Sequence, residues 1–294
     1  MAETVRDEET QMTNAIEWRP QRAAAVLLAL LGLFGSATAF GREPAPTYGA
    51  TESRAADEPS RYIRVTASTG LDFSSGDFGT DTDTDVWYVP SALKLEWDPF
   101  FIKVTVPYVI VDGDVVLIDG QPEGGPGFGG TRNGIGDIVL SGGYVYFPTS
   151  QFLPVIELSG KVKFATADED KGLGTGEENY TLQLDVSKQF GWFTPFGAVG
   201  YKFIGDPPDV NLSDKVFASG GFSARLGDRV SAGVVYDWAE SAVNGRSDIQ
   251  EISPFASIRF GENFSFEPYA LVGLSNTSPD WGLGFQFRAF WDND

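Results

Sequence analysis

Glu178-Asn179-Tyr180-Thr181-Leu182-Gln183-Leu184-Asp185-Val186-Ser187-Lys188-Gln189 alternates with a period of two. Its even positions include Tyr180, Leu182, Leu184 and Val186; its odd positions carry Asn179, Thr181, Gln183, Asp185, Ser187 and Gln189. A β-strand points successive side chains to opposite faces, so this segment has one apolar and one polar face. An amphipathic helix would repeat its apolar residues roughly every three to four positions instead. The stretch before it does the same, with Ile156, Leu158, Gly160, Val162 and Phe164 against Val155, Glu157, Ser159, Lys161 and Lys163.

Outward from this stretch, the same alternation marks strands near 61–75, 85–97, 100–111, 135–147, 152–166, 178–190, 192–205, 214–226, 229–240, 249–260, 263–275 and 280–291. A tilted strand crosses a bilayer in about 9–11 residues, whereas soluble strands run to about 5–6. The connections alternate too. Trp97-Asp98-Pro99-Phe100, Phe147-Pro148-Thr149-Ser150, Phe190-Gly191-Trp192, Leu226-Gly227-Asp228-Arg229 and Phe260-Gly261-Glu262-Asn263 are tight. The others, at 76–84, 112–134, 167–177, 206–213, 241–248 and 276–279, are mostly longer, polar and rich in Gly and Asp. Trp and Phe residues gather beside the tight turns, and Trp87, Tyr180, Phe203, Trp238 and Trp281 lie near the long loops. Short turns at one end, long loops at the other and two aromatic girdles describe an all-β, twelve-stranded antiparallel transmembrane β-barrel of the outer-membrane type over 61–294.

The N-terminus fits that address. Arg19 and Arg22 precede an apolar run from Ala23 to Phe34, and Ser36-Ala37-Thr38-Ala39 supplies small residues for cleavage. Residues 1–39 therefore read as a cleaved signal peptide of a Gram-negative chain, starting at Met1 or Met12, and 40–60 as a periplasmic linker. Composition excludes several classes. The 294 residues hold 41 acids, 21 bases, no histidine and no cysteine. There is thus no Ser-His-Asp or Cys-His catalytic pair, no disulfide and no thiolate metal ligand. A net charge of −20 argues against nucleic acid as a partner.

Strand parity sorts that charge. The long loops are strongly acidic, the lipid-facing positions carry Lys188 alone at a strand end, and the lumen mixes both signs. A charge at mid-bilayer on the lipid face would cost about 2–4 kcal/mol. Inward candidates for a constriction are Arg64, Lys94, Glu96, Lys103, Glu157, Lys161, Arg225, Arg229, Arg259, Glu267 and Arg288, with Lys163, Lys202 and Lys215 also inward. Two readings stand for them: a network of ion pairs filling a narrow barrel, or a pore with a mild preference for anions. Inward aromatics are Tyr88, Phe196, Phe217, Phe255, Tyr269 and Phe290, either filler or a path for aromatic solutes. Asp72 and Asp137 are expected at the outer mouth. The second long loop carries an apolar run, Val115 to Ile118, that either extends a hairpin or folds inward as a gate. Acidic runs at Asp81 to Asp85 and Asp168 to Asp170 match no calcium-loop pattern and read as solvated loops; no metal or cofactor is implied.

Arg132-Asn133-Gly134-Ile135-Gly136-Asp137-Ile138-Val139-Leu140, running into Gly143-Tyr144-Val145-Tyr146-Phe147-Pro148, resembles the Gly-hydrophobic-Gly-Asp strand start of the outer-membrane transporter family of the phenol-degradation (MetA-pathway) type. The resemblance implies uptake of aromatic or other hydrophobic compounds. Taken together, the sequence reads as a non-enzymatic outer-membrane channel for passive uptake of small molecules. Its expected partners are outer-membrane lipids and lipopolysaccharide, the barrel assembly machinery and a small-molecule substrate. The alternative is a barrel that does not conduct and serves a structural or surface-binding role.

Overall fold

The computed structural model describes residues 63–119, 121–124, 128–208 and 211–293; the signal peptide assigned to 1–39 and the linker assigned to 40–60 lie outside the described residues. The strands are β1 (Ile63–Gly76), β2 (Thr84–Trp97), β3 (Phe100–Asp112), β4 (Val115–Ile118), β5 (Gln121–Gly124), β6 (Thr131–Ile135), β7 (Val139–Tyr146), β8 (Val155–Lys163), β9 (Asn179–Ser187), β10 (Phe193–Phe203), β11 (Lys215–Arg225), β12 (Val230–Ala239), β13 (Ile249–Phe260), β14 (Phe264–Gly273) and β15 (Trp281–Asn293). Sequential strands pair antiparallel, and β1 pairs with both β2 and β15. The sheet therefore closes into a barrel of twelve staves among the described residues, with β6 and β7 forming one interrupted stave against β3. Closure removes the free edges that would leave backbone polar groups unpaired in lipid.

The wall is sided as its alternation requires. In β9 Asn179, Thr181, Gln183, Asp185 and Ser187 are buried, while Tyr180, Leu182, Leu184 and Val186 face outward. Leu93, Leu158, Leu182 and Leu283 are each more than half exposed on the outer surface. So wide an apolar surface is costly in water and matches a bilayer. Lys188, just past β9, turns its ammonium back to the Phe152 carbonyl and lies 5.2 Å from the Phe190 ring centre. Aromatic pairs mark both ends. Trp97–Phe100, Phe100–Tyr144, Phe193–Phe222 and Phe264–Phe287 lie at the short-turn end, with centroids 6.4, 5.5, 5.4 and 5.7 Å apart. Phe73 joins Trp87 at 4.4 Å and Trp281 at 5.2 Å at the long-loop end.

Two boundaries differ from the sequence reading. The fourth stave begins at Thr131 and is interrupted at 136–138, where three residues of the stave face two of β3 between the pairs Tyr108↔Ile135 and Thr105↔Val139. This is a β-bulge. Gly136 lies against Pro107, to whose carbonyl it donates at 2.9 Å, and a β-carbon there would press on Pro107 and Val109. The last strand does not stop at Trp291. It continues through Asp292 and Asn293, paired with Arg64 and Ile63.

Candidate functional site

Closing a barrel staggers its strands, so a hydrogen-bonded row climbs around the wall instead of circling at one depth. Following the register, Lys94, Lys103, Ser141, Lys161, Thr181, Lys202 and Lys215 form one such row, each opposite the next. It starts near the short-turn end of β2 and ends at the long-loop end of β11. A parallel row runs Glu157, Asp185, Ala198, Ser219, Asp237 and Glu251. The lumen charge that looks mixed in the sequence is thus sorted into a cationic stripe and an anionic stripe. Lys94/Lys103, Lys202/Lys215, Glu157/Asp185 and Asp237/Glu251 are like charges directly opposite one another, an arrangement that destabilises a sheet unless other groups intervene.

At the short-turn end three of the inward bases, Arg64, Lys94 and Arg288, are held in ion pairs. Arg64 holds Asp292 through two contacts, 2.5 and 3.0 Å, and lies 5.7 Å from the Phe290 ring centre. Arg288 meets Glu267 at 2.8 and 3.1 Å. Lys94 bonds Glu96 at 2.9 Å and stands 4.4 Å from the centre of the Phe101 ring. Arg259 lies within electrostatic reach of Arg64 and Asp292, and Arg225 ends β11, partly buried. Arg229 departs from expectation: it is exposed in the turn before β12, at the rim and off the lumen wall. Asp292, which reads as a tail residue, belongs to this cluster because β15 carries it into register with Arg64.

The two acids expected at the outer mouth have different surroundings. Asp72 is buried on the wall, opposite Tyr88 and Gly284. Asp137 is enclosed within the bulge. It accepts from the Thr166 and Ala167 backbone amides at 3.1 and 2.9 Å and from Lys163 at 2.5 Å. The Gly-hydrophobic-Gly-Asp motif is therefore, in this chain, a joint between the fourth stave and the third long loop.

Four of the six expected inward aromatics, joined by Phe101, share one geometry; Tyr88 and Phe290 instead stand opposite Asp72 and Thr66. Phe101, Phe196, Phe217, Phe255 and Tyr269 stand directly opposite Gly143, Gly221, Gly200, Gly233 and Gly284 on the adjoining strand. Each ring reaches over its glycine, filling the space where a β-carbon would be. A ring covering a cross-strand glycine lies along the wall, where a ring beside a bulky neighbour would project into the bore. Phe196 and Tyr269 pack with Val235 and Phe255, and Tyr88 joins a separate cluster at the long-loop end.

That cluster closes the outer mouth. The second long loop folds inward, and β4 is covered on both faces. Val115 and Leu117 pack with Phe78, Val86, Val109, Val111, Leu173 and Leu271, all nearly inaccessible. Val116 and Ile118 pack with Ile204, Leu212, Ala242 and Val243 from the loops on the far side of the barrel. Leu117 donates to the Gly172 carbonyl at 3.0 Å, and Arg132 clamps the base through the Val115 carbonyl at 2.6 Å. At the tip, buried Asp119 meets both ends of the cationic stripe's outer pair. Lys202 bonds its Oδ2, Lys215 lies 3.5 Å from the same oxygen, and Asn179 donates to Oδ1 at 2.8 Å. Burial alone would raise the Asp119 carboxyl. The two ammonium groups, and the hydrogen bonds from Lys202 and Asn179, outweigh it and hold the carboxyl well below the usual carboxylate range.

No family model and no curated protein matches the sequence. Solved structures do match the fold. An outer-membrane channel from Pseudomonas putida F1 aligns over 82% of this chain and 100% of its own, with 14% identity and a TM-score of 0.60. The NanC porin aligns over 77% of this chain and 99% of its own, with 7% identity and a TM-score of 0.50. At such identities the likeness concerns architecture, and that architecture is the β-barrel of outer-membrane channels.

Proposed function

We propose that the protein is an outer-membrane channel for the passive uptake of small molecules, aromatic or hydrophobic in character, through a narrow lumen of mixed charge. The short turns then face the periplasm and the acidic long loops face outward. The observation that carries this reading is the pair of charge stripes on the lumen wall. A wall built only for stability has little reason to set lysine against lysine at both ends of one row, Lys94 against Lys103 and Lys202 against Lys215, with Lys161 between them. The rings laid over glycines support the aromatic or hydrophobic part, because they line the inner wall with apolar patches. The outward apolar face of β15 from Trp281 to Trp291 supports assembly by the barrel machinery, with lipid and lipopolysaccharide against the apolar band. One observation favours a second reading, a barrel that does not conduct: β4 is packed across the mouth. Planar-bilayer recordings of purified protein decide between them. Discrete conductance steps, together with slower uptake of aromatic growth substrates in a deletion strain, are expected. Silence in the bilayer with unchanged uptake would overturn the channel.

A further inference from the structure

The outer end of the cationic stripe has the construction of a ligand site, and its occupant is part of the chain. Lys202 and Lys215 face each other in register across β10 and β11, and Asn179 opens β9 beside them. Lys215 and Asn179 are almost wholly buried. Two ammonium groups so enclosed require an anion, because burying like charges without a counter-charge is strongly unfavourable. Among the described residues, no carboxylate of the barrel wall is ion-paired with either lysine. The anion comes instead from a loop tip 60 residues from Asn179 and 83 from Lys202. Asp119 reaches them with a left-handed backbone, φ 54°, a conformation that aspartate adopts more readily than most residues other than glycine.

We propose that Lys202, Lys215 and Asn179 form a binding site for small organic carboxylates, in which Asp119 is a tethered stand-in for the ligand. The donor set suits a carboxylate group. One oxygen receives the two lysines and the other an amide N–H, with a single negative charge between them. The donors belong to regular wall strands, whereas the occupant belongs to a hairpin held by its own apolar packing. An incoming carboxylate that takes the place of Asp119 removes the polar anchor of the mouth closure. It then meets Lys161 next along the stripe, followed by Lys103 and Lys94. This deepens the channel reading by naming a substrate class. The binding itself does not depend on conduction.

The test uses the full chain in detergent, with trifluoroacetate as the probe and its fluorine resonance as the readout. A tethered ligand competes at an effective concentration near the millimolar range, so removing it should tighten probe binding at least about ten-fold in Asp119→Asn relative to the parent. Adding Lys215→Gln should abolish the gain, and Asp119→Glu should bind as weakly as the parent. Asp119→Ser serves as the second variant should Asp119→Asn not fold, folding being checked by heat-modifiable gel mobility. Equal binding by parent and variant, or a gain that survives Lys215→Gln, overturns the site. Bilayer recordings of the same proteins separate the two failures. A probe difference without conductance in any variant refutes the channel and keeps the site; conductance without a probe difference refutes the site and keeps the channel.

Discussion

At the scale of single residues, most of the lumen charge is spoken for by neighbours that strand parity does not reveal. Arg64 was legible as an inward base, but its partner Asp292 was not, because it follows the last apolar residue and only the register of β15 against β1 brings the two together. Removing either member unbalances the same place in opposite senses. Arg64→Gln should move the reversal potential in a salt gradient toward cation preference, and Asp292→Asn should move it toward anions; shifts of the same sign would exclude this pair from the ion path. Asp119 was hidden for a related reason. Its partners lie far along the chain, and an acid in a Gly-rich loop ordinarily reads as solvated. Lys202, Lys215 and Asn179 hold it, with Lys161 next along the wall. Its carboxyl is held low, so the stabilisation it gives is fully present above the ordinary carboxylate pKa of about 3.9 and is lost only as pH falls below that toward the lowered value. Channel opening should accordingly be flat between about pH 5 and pH 7 and rise on the acid side only in stronger acid, measured as open probability in bilayers.

Among the elements, the staves were readable and the loops were not. A wall with lipid on one side and a polar lumen on the other imposes strict alternation, which is why β11, β12 and β13 fall within a residue of their expected ends. The run Val115 to Ile118 carries no such constraint, since an extended hairpin and an inward fold both bury apolar side chains. Long-range contacts with Ile204, Leu212 and Leu271 decide it. Replacing 115–124 by a Gly-Ser linker should raise single-channel conductance several-fold, and an unchanged conductance would place the constriction elsewhere. The bulge between β6 and β7 was visible only as a motif. Its acid is a joint, because Asp137 ties Lys163 to the third long loop where both side chains are mostly buried. Asp137→Ala leaves that lysine without its anion and should lower stability by about 3–5 kcal/mol. Urea unfolding in lipid vesicles, followed by tryptophan fluorescence, would show it, and a loss under about 1 kcal/mol would contradict a structural role.

For the whole molecule, the exterior sets the expected behaviour: the protein should fractionate with the outer membrane and run anomalously on gels when unheated, and recovery as soluble periplasmic protein would contradict the apolar band. The absence of histidine, which in the sequence removes hydrolases that need an imidazole base, leaves the lumen wall with stripes of lysine and carboxylate. The rings that lie over glycines have a consequence for how such a barrel can change over time. Bore width depends on each couple, not on either residue. Enlarging the glycine drives its ring toward the axis, and shrinking the ring opens a hole over bare backbone. Gly200 and Phe217, or Gly284 and Tyr269, are thus coupled across neighbouring strands, the ring being the first group a β-carbon would meet. Among relatives that admit solutes of different girth, the members of a couple should exchange together, so that a wider or narrower passage is inherited as a matched pair of substitutions.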